Sequence, residues 1–350
     1  MKKVGIVTIN DYNNYGNRLQ NYAVEKTLEK CNVSAITLKN EPCLNTKEKY
    51  LLRKLKSYFN KDSYSRIEDR KLCFEEFNKY IQFSKNKISV FSKLDDYDFF
   101  VTGSDQVWNP NFGRLREVDL LAFAPQQKRI SFSASFGVKE LNEKESLKVK
   151  NEISVFKAIS VREESGKELI EKITGRKDSI VLLDPTMMLS ATEWEEVIKK
   201  PKMLKEGKYI LNYFLGELSD ERKSIIEKIA KDNDCKIINI LDINDPFYCT
   251  GPSEFLYLEK NAFLICTDSF HSSVFSIIFE RPFLVFDRED YHVAMNSRIE
   301  TLLSKFDLQS RKFNGKLSDN FLNINYENSK KIIEEEKKKT MEFLRKALDI

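Results

Sequence analysis

The chain has 350 residues, which is long enough for two domains, and 41% of them are hydrophobic, including 25 Phe and 14 Tyr. This composition supplies ample core material and excludes an intrinsically disordered protein. The 58 basic residues nearly balance the 54 acidic ones, so the net charge of +4 favours solubility and does not indicate a general nucleic-acid binder.

The six cysteines have no C-x-x-C spacing, which argues against a disulfide framework or a structural zinc site. They are typical of reduced thiols in a cytosolic protein. The N-terminus runs from Met1-Lys2-Lys3 straight into an apolar segment without the features of a signal peptide. No stretch approaches the about 20 apolar residues that a membrane span needs. We therefore expect a cytoplasmic protein, and we predict neither a metal nor a cofactor.

The first half of the chain alternates short apolar runs with helical patterns. Apolar runs that end in turn-forming residues indicate strands buried on both faces of a parallel sheet. A helix with an apolar inner face is predicted from Arg18 to Lys30. The predicted strands are Val4–Ile9, Val33–Leu38, Tyr97–Thr102, Arg129–Phe136, Ala158–Val161 and Ile180–Leu183.

The segment from Thr46 to Lys87 is basic and amphipathic, with Leu51, Leu55 and Phe59 at helical spacing. A basic amphipathic helix can lie on an anionic membrane surface, which would be a peripheral membrane contact. More often the same pattern belongs to a solvated helix packed on its own domain. We favour the solvated helix.

The second half repeats the alternation and ends in a charged helix. Arg281-Pro282 stops the last helix of the series, because proline cannot continue a helix. Strands that alternate with helices predict doubly wound α/β sheets. The predicted strands are Lys208–Leu215, Lys236–Ile240, Ala262–Cys266 and Phe283–Phe286; the helices are Glu221–Lys231, Ser253–Asn261, one from Phe270, and Asn328–Ile350.

One of only two histidines, His271, follows a predicted buried strand and lies in the first turn of the next helix. The partial positive charge at a helix N-terminus disfavours the imidazolium, so we expect His271 to serve as a proton donor near neutral pH. The N–H groups from Ser269 to Ser273 and the hydroxyls of Ser269, Ser272 and Ser273 are candidates for binding an anion. The alternative is an ordinary capped turn with a partly exposed histidine.

Two other strand ends carry candidate polar groups. Asp105, in the turn Gly103-Ser104-Asp105, can orient or deprotonate a hydroxyl, and Trp108 can stack on a sugar ring. For Asp105 the alternative is an Asx-type turn, and for Trp108 it is a tryptophan of the hydrophobic core. Arg162 follows a strand and suits bidentate capture of a carboxylate or phosphate, against the alternative of a salt bridge to Glu163, Glu164 or another acid.

Five separated segments resemble the polysaccharide pyruvyl transferase family over roughly residues 1 to 290. They are the loop N-N-Y-G-N, the runs V-T-G-S-D-Q-V-W-N-P, S-V-R-E-E-S and D-P-T, and the stretch T-D-S-F-H-S-S-V-F followed by R-P-F. Several matches in the right order are far more specific than any one of them. The resemblance implies a fold of class α/β, with two Rossmann-like doubly wound domains facing a cleft, similar to the GT-B arrangement.

The resemblance also implies a reaction, in which a pyruvyl group passes from phosphoenolpyruvate to hydroxyls of a glycan or lipid-linked sugar as a cyclic ketal. By analogy with the family, His271 is the acid, while Arg162 and the turn containing Ser269, Phe270, Ser272 and Ser273 hold the donor. Asp105, Trp108 and the loop residues Asn14, Gly16 and Asn17 address the acceptor. For the loop, the alternative is a capped turn in which Gly16 supplies an unusual backbone angle.

One residue departs from the family pattern, because relatives commonly have an arginine where this chain has Ser269. Either another cation, Arg162, Arg281 or Arg298, compensates for the missing charge, or the donor is different. Two other functions stay open. The first is a GT-B glycosyltransferase that uses a nucleotide sugar, and the second is a binding subunit without catalytic activity.

The expected domains are residues 1–185 on the acceptor side, residues 186–327 on the donor side, and a helix at 328–350 that packs across both. A lipid-linked acceptor would bring this cytoplasmic protein to the inner face of the membrane.

Overall fold

The computed structural model describes residues 1–40, 61–288, 296–317 and 320–350, and it divides into two compact units. One unit contains the described residues up to 40, together with Asn78–Leu189 and Glu334–Ile350. The other contains residues 61–77 and the described part of Ser190–Ile333. The amphipathic pattern around Leu51, Leu55 and Phe59 lies outside the described residues. The assignment of an acceptor side and a donor side stays a prediction.

The first unit is built on a seven-stranded parallel sheet with the order β3-β2-β1-β4-β5-β6-β7. Its central strands carry apolar and small residues and are buried along almost their whole length, as a parallel sheet covered on both faces requires. The strands are β1 (Lys3–Val7), β2 (Ser34–Lys39), β3 (Phe83–Lys87), β4 (Phe99–Thr102), β5 (Arg129–Ala134), β6 (Ala158–Val161) and β7 (Ile180–Val181).

The second unit contains a four-stranded parallel sheet with the order β11-β10-β8-β9. Its strands are β8 (Lys208–Tyr213), β9 (Cys235–Asn239), β10 (Leu264–Thr267) and β11 (Phe283–Val285). The predicted fold class is therefore confirmed as α/β with two parallel sheets. In the register of the two central strands, Tyr213 pairs with Thr267, so β8 and β10 end side by side.

Helices connect the strands throughout the described residues. The helices are α1 (Tyr15–Glu29), α2 (Lys61–Glu76), α3 (Glu143–Ile153), α4 (Glu164–Thr174), α5 (Ala191–Glu195), α6 (Asp220–Asp232), α7 (Pro252–Asn261), α8 (Phe270–Ile278), α9 (Asn296–Lys305) and α10 (Glu327–Ala347). Short 3₁₀ helices cover Phe77–Tyr80, Pro110–Phe112, Gln126–Lys128, Pro185–Met188, Pro246–Cys249 and Gln309–Arg311.

Strand β3 (Phe83–Lys87) was not predicted, because it lies at the end of the segment interpreted as an amphipathic helix. The start of α1 also differs from the prediction. The helix begins at Tyr15 and not at Arg18, because the side chain of Asn14 caps it by accepting a hydrogen bond from the N–H of Asn17 at 3.2 Å. Gly16 is therefore a helical residue without a positive φ, so the capped turn of the alternative is present but the unusual angle that it assigned to Gly16 is not.

Each sheet reverses its strand order at one point, between β1 and β4 in the first unit and between β8 and β10 in the second. Loops that leave neighbouring strands in opposite directions open a crevice at the carboxyl ends of those strands, and ligands of open α/β sheets bind there. Asp105 follows β4 and His271 follows β10. Two of the predicted site residues therefore lie at the two switch points.

Candidate functional site

The turn between β10 and α8 is formed by its own polar side chains. The hydroxyl of Thr267 donates to the carbonyl of Tyr213 at 2.7 Å and accepts from the N–H of Ser269 at 3.0 Å. Ser269 is the N-cap of α8, and its hydroxyl accepts from the N–H of Ser272. This local chemistry starts the helix at Phe270, as the sequence predicts.

The three serines predicted to receive an anion use their hydroxyls inside the protein. Ser272 donates to the carboxyl of Glu259 at 2.5 Å, and Ser273 donates to the carbonyl of Ser269 at 3.0 Å. Both side chains are fully buried. The N–H of Ser273 also bonds to the carbonyl of Ser269. These groups stabilise the first turn, and their predicted role in binding the donor stays a prediction.

His271 lies in this turn with 8% of its surface exposed. Its ring meets the ring of Phe270 edge to face, with centroids 5.4 Å apart. The aromatic ring of Phe270 thus forms one wall of the histidine's surroundings. The helix N-terminus supplies partial positive charge at the same place.

Arg298 also contacts this turn. Its guanidinium carbon lies 5.8 Å from the centroid of the Phe270 ring, a distance typical of a cation–π contact. Arg298 lies in α9, is 7% exposed and belongs to the same unit as His271. The sequence provides no signal for its proximity to Phe270.

Asp268 is a further functional candidate, which belongs to the T-D-S-F-H segment but was not among the predicted site residues. Its two carboxylate oxygens accept hydrogen bonds from the N–H groups of Leu215 and Gly216, each at 2.7 Å. The Nε atom of Arg288, after β11, lies 3.5 Å from the same carboxylate. Asp268 therefore ties the loop after β8 to the loop after β10 at the switch point.

Glu259 on α7 is buried completely beneath the first turn of α8. Burial raises the pKa of its carboxyl well above the ordinary value, and the hydrogen bond from Ser272 opposes this shift only in part. Nothing in the sequence distinguishes this glutamate from the many that are exposed, so it was not predicted.

In the first unit, the turn after β4 needs a glycine. Gly103 has φ of +121°, and a Cβ atom there would lie 2.2 Å from the carbonyl oxygen of Phe132. Asp105 follows with φ of 63°, in the left-handed region that aspartate tolerates. Its backbone carbonyl accepts from the N–H of Ser135, so the turn is joined to the end of β5.

Arg162 forms the centre of a buried ion cluster. Its guanidinium donates to Asp184 at 2.8 Å and to Asp105 at 3.2 Å, and its Nε lies 4.0 Å from a carboxylate oxygen of Glu163. Burial lowers the pKa of Arg162, but the charges of Asp105 and Asp184 outweigh it and hold the pKa above its ordinary value. The salt bridge that the sequence left as the alternative is thus present, and a role for Arg162 in binding the donor stays a prediction.

The two acids beside Arg162 are themselves held in place. Asp184 caps the 3₁₀ helix that follows it, accepting from the N–H of Thr186 at 3.0 Å and from its hydroxyl at 2.6 Å. Glu163 accepts from the hydroxyl of Ser135 at 2.9 Å. The D-P-T segment flagged Asp184 as part of a motif, but only the structure places it against Arg162.

Hydrogen bonds from α1 join the loop after β1 to the turn after β4, at the first switch point. Gln20 donates to the hydroxyl of Thr8 at 2.7 Å and accepts from the N–H of Ser104 at 3.1 Å. Asn14 is half-buried, while Gly16 and Asn17 are buried in the first turn of the helix. The structure thus brings this loop and the Asp105 turn to one edge of the sheet, and acceptor contacts by the loop stay a prediction.

Trp108 lies in the core and not on a surface. The residue is 0% exposed, its indole N–H donates to the carbonyl of Asp119 at 3.2 Å, and its ring packs against Phe136 and Phe156. A sugar has no access to the ring face in this geometry. Trp108 therefore corresponds to the alternative interpretation, a core tryptophan.

Within the part of the chain that the structure describes, no group of three or more His, Cys, Asp or Glu side chains is arranged to hold a metal ion. None of the described helices combines the length and apolar character needed to span a bilayer.

Comparison with known proteins identifies the family and solved structures of similar fold. The model of the family described as "Polysaccharide pyruvyl transferase" matches residues 14–291. No curated protein matches the sequence. Among solved structures, UDP-GlcNAc 2-epimerase from Methanocaldococcus jannaschii is similar over 95% of this chain and 98% of that chain, with a TM-score of 0.47 and 14% sequence identity.

Proposed function

Because the chain belongs to the polysaccharide pyruvyl transferase family, we propose that it transfers the pyruvyl group of phosphoenolpyruvate to two hydroxyls of a sugar, as a cyclic ketal. The sugar belongs to a cell-surface polysaccharide or its precursor. The observation that carries the proposal is the extent of the family match, since residues 14–291 include Asp105, Arg162 and His271.

The chemistry requires an acid. Protonation of the methylene carbon of phosphoenolpyruvate makes its neighbouring carbon electrophilic, and one sugar hydroxyl then bonds to that carbon. A second hydroxyl replaces the phosphate, so the products are the ketal and inorganic phosphate. One hydroxyl proton replaces the proton that the acid donated to the methylene carbon, and the other leaves with the phosphate. We assign the donated proton to His271, the only histidine among the described residues.

The surroundings of His271 support this role. The helix N-terminus favours an anionic donor beside it, and the wall formed by Phe270 limits the access of water to the imidazole. In the first unit, the Asp105 carboxylate is oriented by Arg162 at 3.2 Å, which suits a group that accepts a hydrogen bond from an acceptor hydroxyl.

The proposal includes the acceptor and the place in the cell where the enzyme acts. A lipid-linked or nucleotide-linked sugar is the expected acceptor, and a lipid-linked one would bring a cytoplasmic enzyme to the inner face of the membrane as a peripheral protein. A flotation assay with anionic phospholipid vesicles tests this contact, and recovery of all the protein with the unbound fraction would remove it.

The decisive experiment measures phosphate released from phosphoenolpyruvate in the presence of a panel of lipid-linked and nucleotide-linked sugars, with mass spectrometry of the product. We expect release with at least one acceptor, and a loss of about 10²- to 10⁴-fold in His271→Ala. Full activity in a folded His271→Ala variant would remove His271 from the mechanism. Thermal stabilisation by a nucleoside diphosphate and none by phosphoenolpyruvate would instead favour a glycosyltransferase.

A further inference from the structure

A cyclic ketal is made from two hydroxyls of one sugar, and each hydroxyl loses its proton when its oxygen bonds to the ketal carbon. In the proposed function Asp105 serves one of these hydroxyls, so the reaction needs a second group that accepts a proton. Carboxylates are common bases in enzymes. We expect this second carboxylate near Asp105, at the carboxyl ends of β1 and β4, where open α/β sheets bind their ligands.

Asp11 lies in the loop that follows β1, on one side of the first switch point, and Asp105 follows β4 on the other side. The two loops are in contact, because the hydroxyl of Thr8 donates to the carbonyl of Ser104 at 3.4 Å. The side chain of Asp11 is 22% exposed, so a ligand has access to it. Within the part of the chain that the structure describes, no hydrogen bond is donated to its carboxyl group. Asp11 therefore has the capacity to accept a hydrogen bond from a ligand.

Arg114 approaches Asp11 from the loop after β4. Its Nη2 lies 3.9 Å from Oδ1 of Asp11, and its Nη1 lies 3.5 Å from Oδ1 of Asp119. Both distances exceed the range of about 2.7–3.2 Å that is typical of hydrogen bonds. The side chain is 3% exposed, and its buried Nη1 has no hydrogen-bond partner among the described residues. Arg114 is therefore a buried cation that holds Asp11 by charge and retains a donor for a ligand.

Asp119 is paired with a different arginine. Its two carboxylate oxygens accept from Nε and Nη2 of Arg116 at 2.8 and 2.9 Å, which is the bidentate arrangement of a strong pair. The backbone N–H of Arg114 donates to the carbonyl of Asn109 at 3.2 Å, which fixes the residue in its loop. A buried guanidinium nitrogen without a hydrogen bond costs free energy, and a sugar oxygen that accepts from it would remove that cost.

The charges around Asp11 suit a base. Burial raises the pKa of its carboxyl, Arg114 opposes this shift, and the charge of Asp105 adds to it. Arg18 and Arg116 act in the same direction as Arg114. A carboxylate with a raised pKa accepts a proton more readily. The interaction with Asp105 also indicates that the two carboxyl groups belong to the same crevice.

We infer that Asp11, with Arg114 as its positioning residue, binds the second hydroxyl of the acceptor sugar and takes its proton when that oxygen displaces the phosphate. The bond between the hydroxyl oxygen and the ketal carbon forms, the bond between that carbon and the phosphate oxygen breaks, and the proton passes through Asp11 to the leaving phosphate. This assignment rests on the proposed function. It describes the acceptor site as a pair of carboxylates that recognises a sugar diol.

Sugar binding is measured without the donor, by saturation-transfer NMR of a mixture of the methyl glycosides of glucose, galactose, mannose and N-acetylglucosamine. These probes are neutral, so they report on the sugar site alone. We expect the parent chain to bind at least one of them. Loss of a hydrogen bond to a charged group corresponds to about 10- to 100-fold weaker binding, which we expect in Asp11→Asn. Asp11→Glu keeps the charge and should lose less.

Asp96→Asn is the matched control. Asp96 is an exposed acid that pairs with Lys3 just before β4, so it lies at the amino ends of the strands and away from the switch point. We expect parent-like binding in this variant. Thermal melting identifies any variant that fails to fold, and Asp11→Glu and Arg114→Lys carry the test if Asp11→Asn does so.

Kinetics provide a readout that a purely structural role would not change. With the sugar that supports phosphate release, Asp11→Asn should lower kcat/KM by about 10²- to 10⁴-fold. Arg114 lowers the pKa of Asp11, so Arg114→Gln should raise it. The base must be ionised to act, so the acid limb of the profile of kcat/KM against pH should move to higher pH. Asp96→Asn should leave this profile in place.

The outcomes separate the two proposals. Parent-like binding or parent-like kcat/KM in a folded Asp11→Asn variant would overturn the assignment of Asp11, as would a parent chain that binds none of the glycosides. Phosphate release from phosphoenolpyruvate would then still support the proposed function. Sugar binding that depends on Asp11, without phosphate release with any acceptor, would remove the donor from the proposed function and leave the sugar site in place.

Discussion

The guanidinium of Arg162 donates a hydrogen bond of 3.2 Å to the carboxylate of Asp105, although the two residues are 57 positions apart in the chain. Separate motifs mark them as candidates for different tasks, one for the donor and one for the acceptor. In the fold they form one buried cluster with Asp184 and Glu163. Substitutions in this cluster therefore act on both stability and activity, and the two effects have to be measured separately.

Replacing Arg162 is expected to destabilise the protein strongly. In Arg162→Gln the carboxylates of Asp184 and Asp105 lose their buried counter-charge, and removing one partner of a buried pair costs about 3–5 kcal/mol. Denaturant-induced unfolding measures this change. Lys223→Gln is the control, because Lys223 pairs with Asp220 on the surface and such pairs contribute about 0–1 kcal/mol. Equal effects of the two substitutions would contradict a structural role for the Arg162 cluster.

Asp105→Asn is expected to reduce activity more than stability. Asparagine tolerates the left-handed backbone at this position, and Arg162 retains its 2.8 Å bond to Asp184, so the loss should stay within about 1–2 kcal/mol. Loss of a carboxylate that positions the acceptor should lower kcat/KM by about 10²-fold. Phosphate-release kinetics at varied acceptor concentration test this prediction. A folded Asp105→Asn variant with unchanged kinetics would place Asp105 outside the reaction.

Asp268→Ala is expected to destabilise the loop after β8 at the switch point of the second unit. It removes two hydrogen bonds from the N–H groups of Leu215 and Gly216, and bonds to a charged group contribute roughly 1.5–3 kcal/mol each. Hydrogen exchange at these two amides should become faster, while exchange within β8 stays slow. Asp242→Ala, which removes a bond to the N–H of Asn244 in an exposed turn, is the control. Unchanged protection of the Leu215 amide would show that the bond is unimportant.

Glu25 is expected to make stability depend on pH. Burial raises the pKa of its carboxyl to about 8, although the hydrogen bond from the N–H of Gln82 acts in the opposite direction. The folded chain then binds a proton that the unfolded chain has already released above about pH 4.5, the ordinary value. The stabilisation is therefore complete below about pH 4.5 and declines as the pH rises through about 8.

This dependence is measured by the unfolding free energies of the parent chain and of Glu25→Gln between about pH 5 and pH 9. That range includes the raised pKa of Glu25, about 8. The glutamine cannot ionise, so its curve should be flatter. Glu29→Gln serves as the charge control, because Glu29 is on the same helix but pairs with Lys26 near the surface. Parallel curves for the parent chain and Glu25→Gln would contradict the raised pKa.

The amino-acid sequence by itself determined the local features of this protein. The order of strands and helices follows from apolar periodicity, and the start of α8 at Phe270 follows from the cap at Ser269, because both depend on residues within a few positions of each other. Strand β6 was predicted with the bounds that it has in the structure, Ala158–Val161. The spacing of several motifs along the chain was sufficient to indicate the family, which the match over residues 14–291 confirms.

Only the tertiary structure decided which side chains meet. Arg162 reaches Asp105 and Asp184 because β4, β5, β6 and β7 are neighbours in the sheet, and Arg298 reaches Phe270 because α9 packs against α8. The same packing buries Trp108 in the core and Glu259 beneath Ser272. A sequence pattern records which groups are present, whereas burial and charge pairing depend on distances between segments that are remote in the chain, and these distances are set by strand order and helix packing.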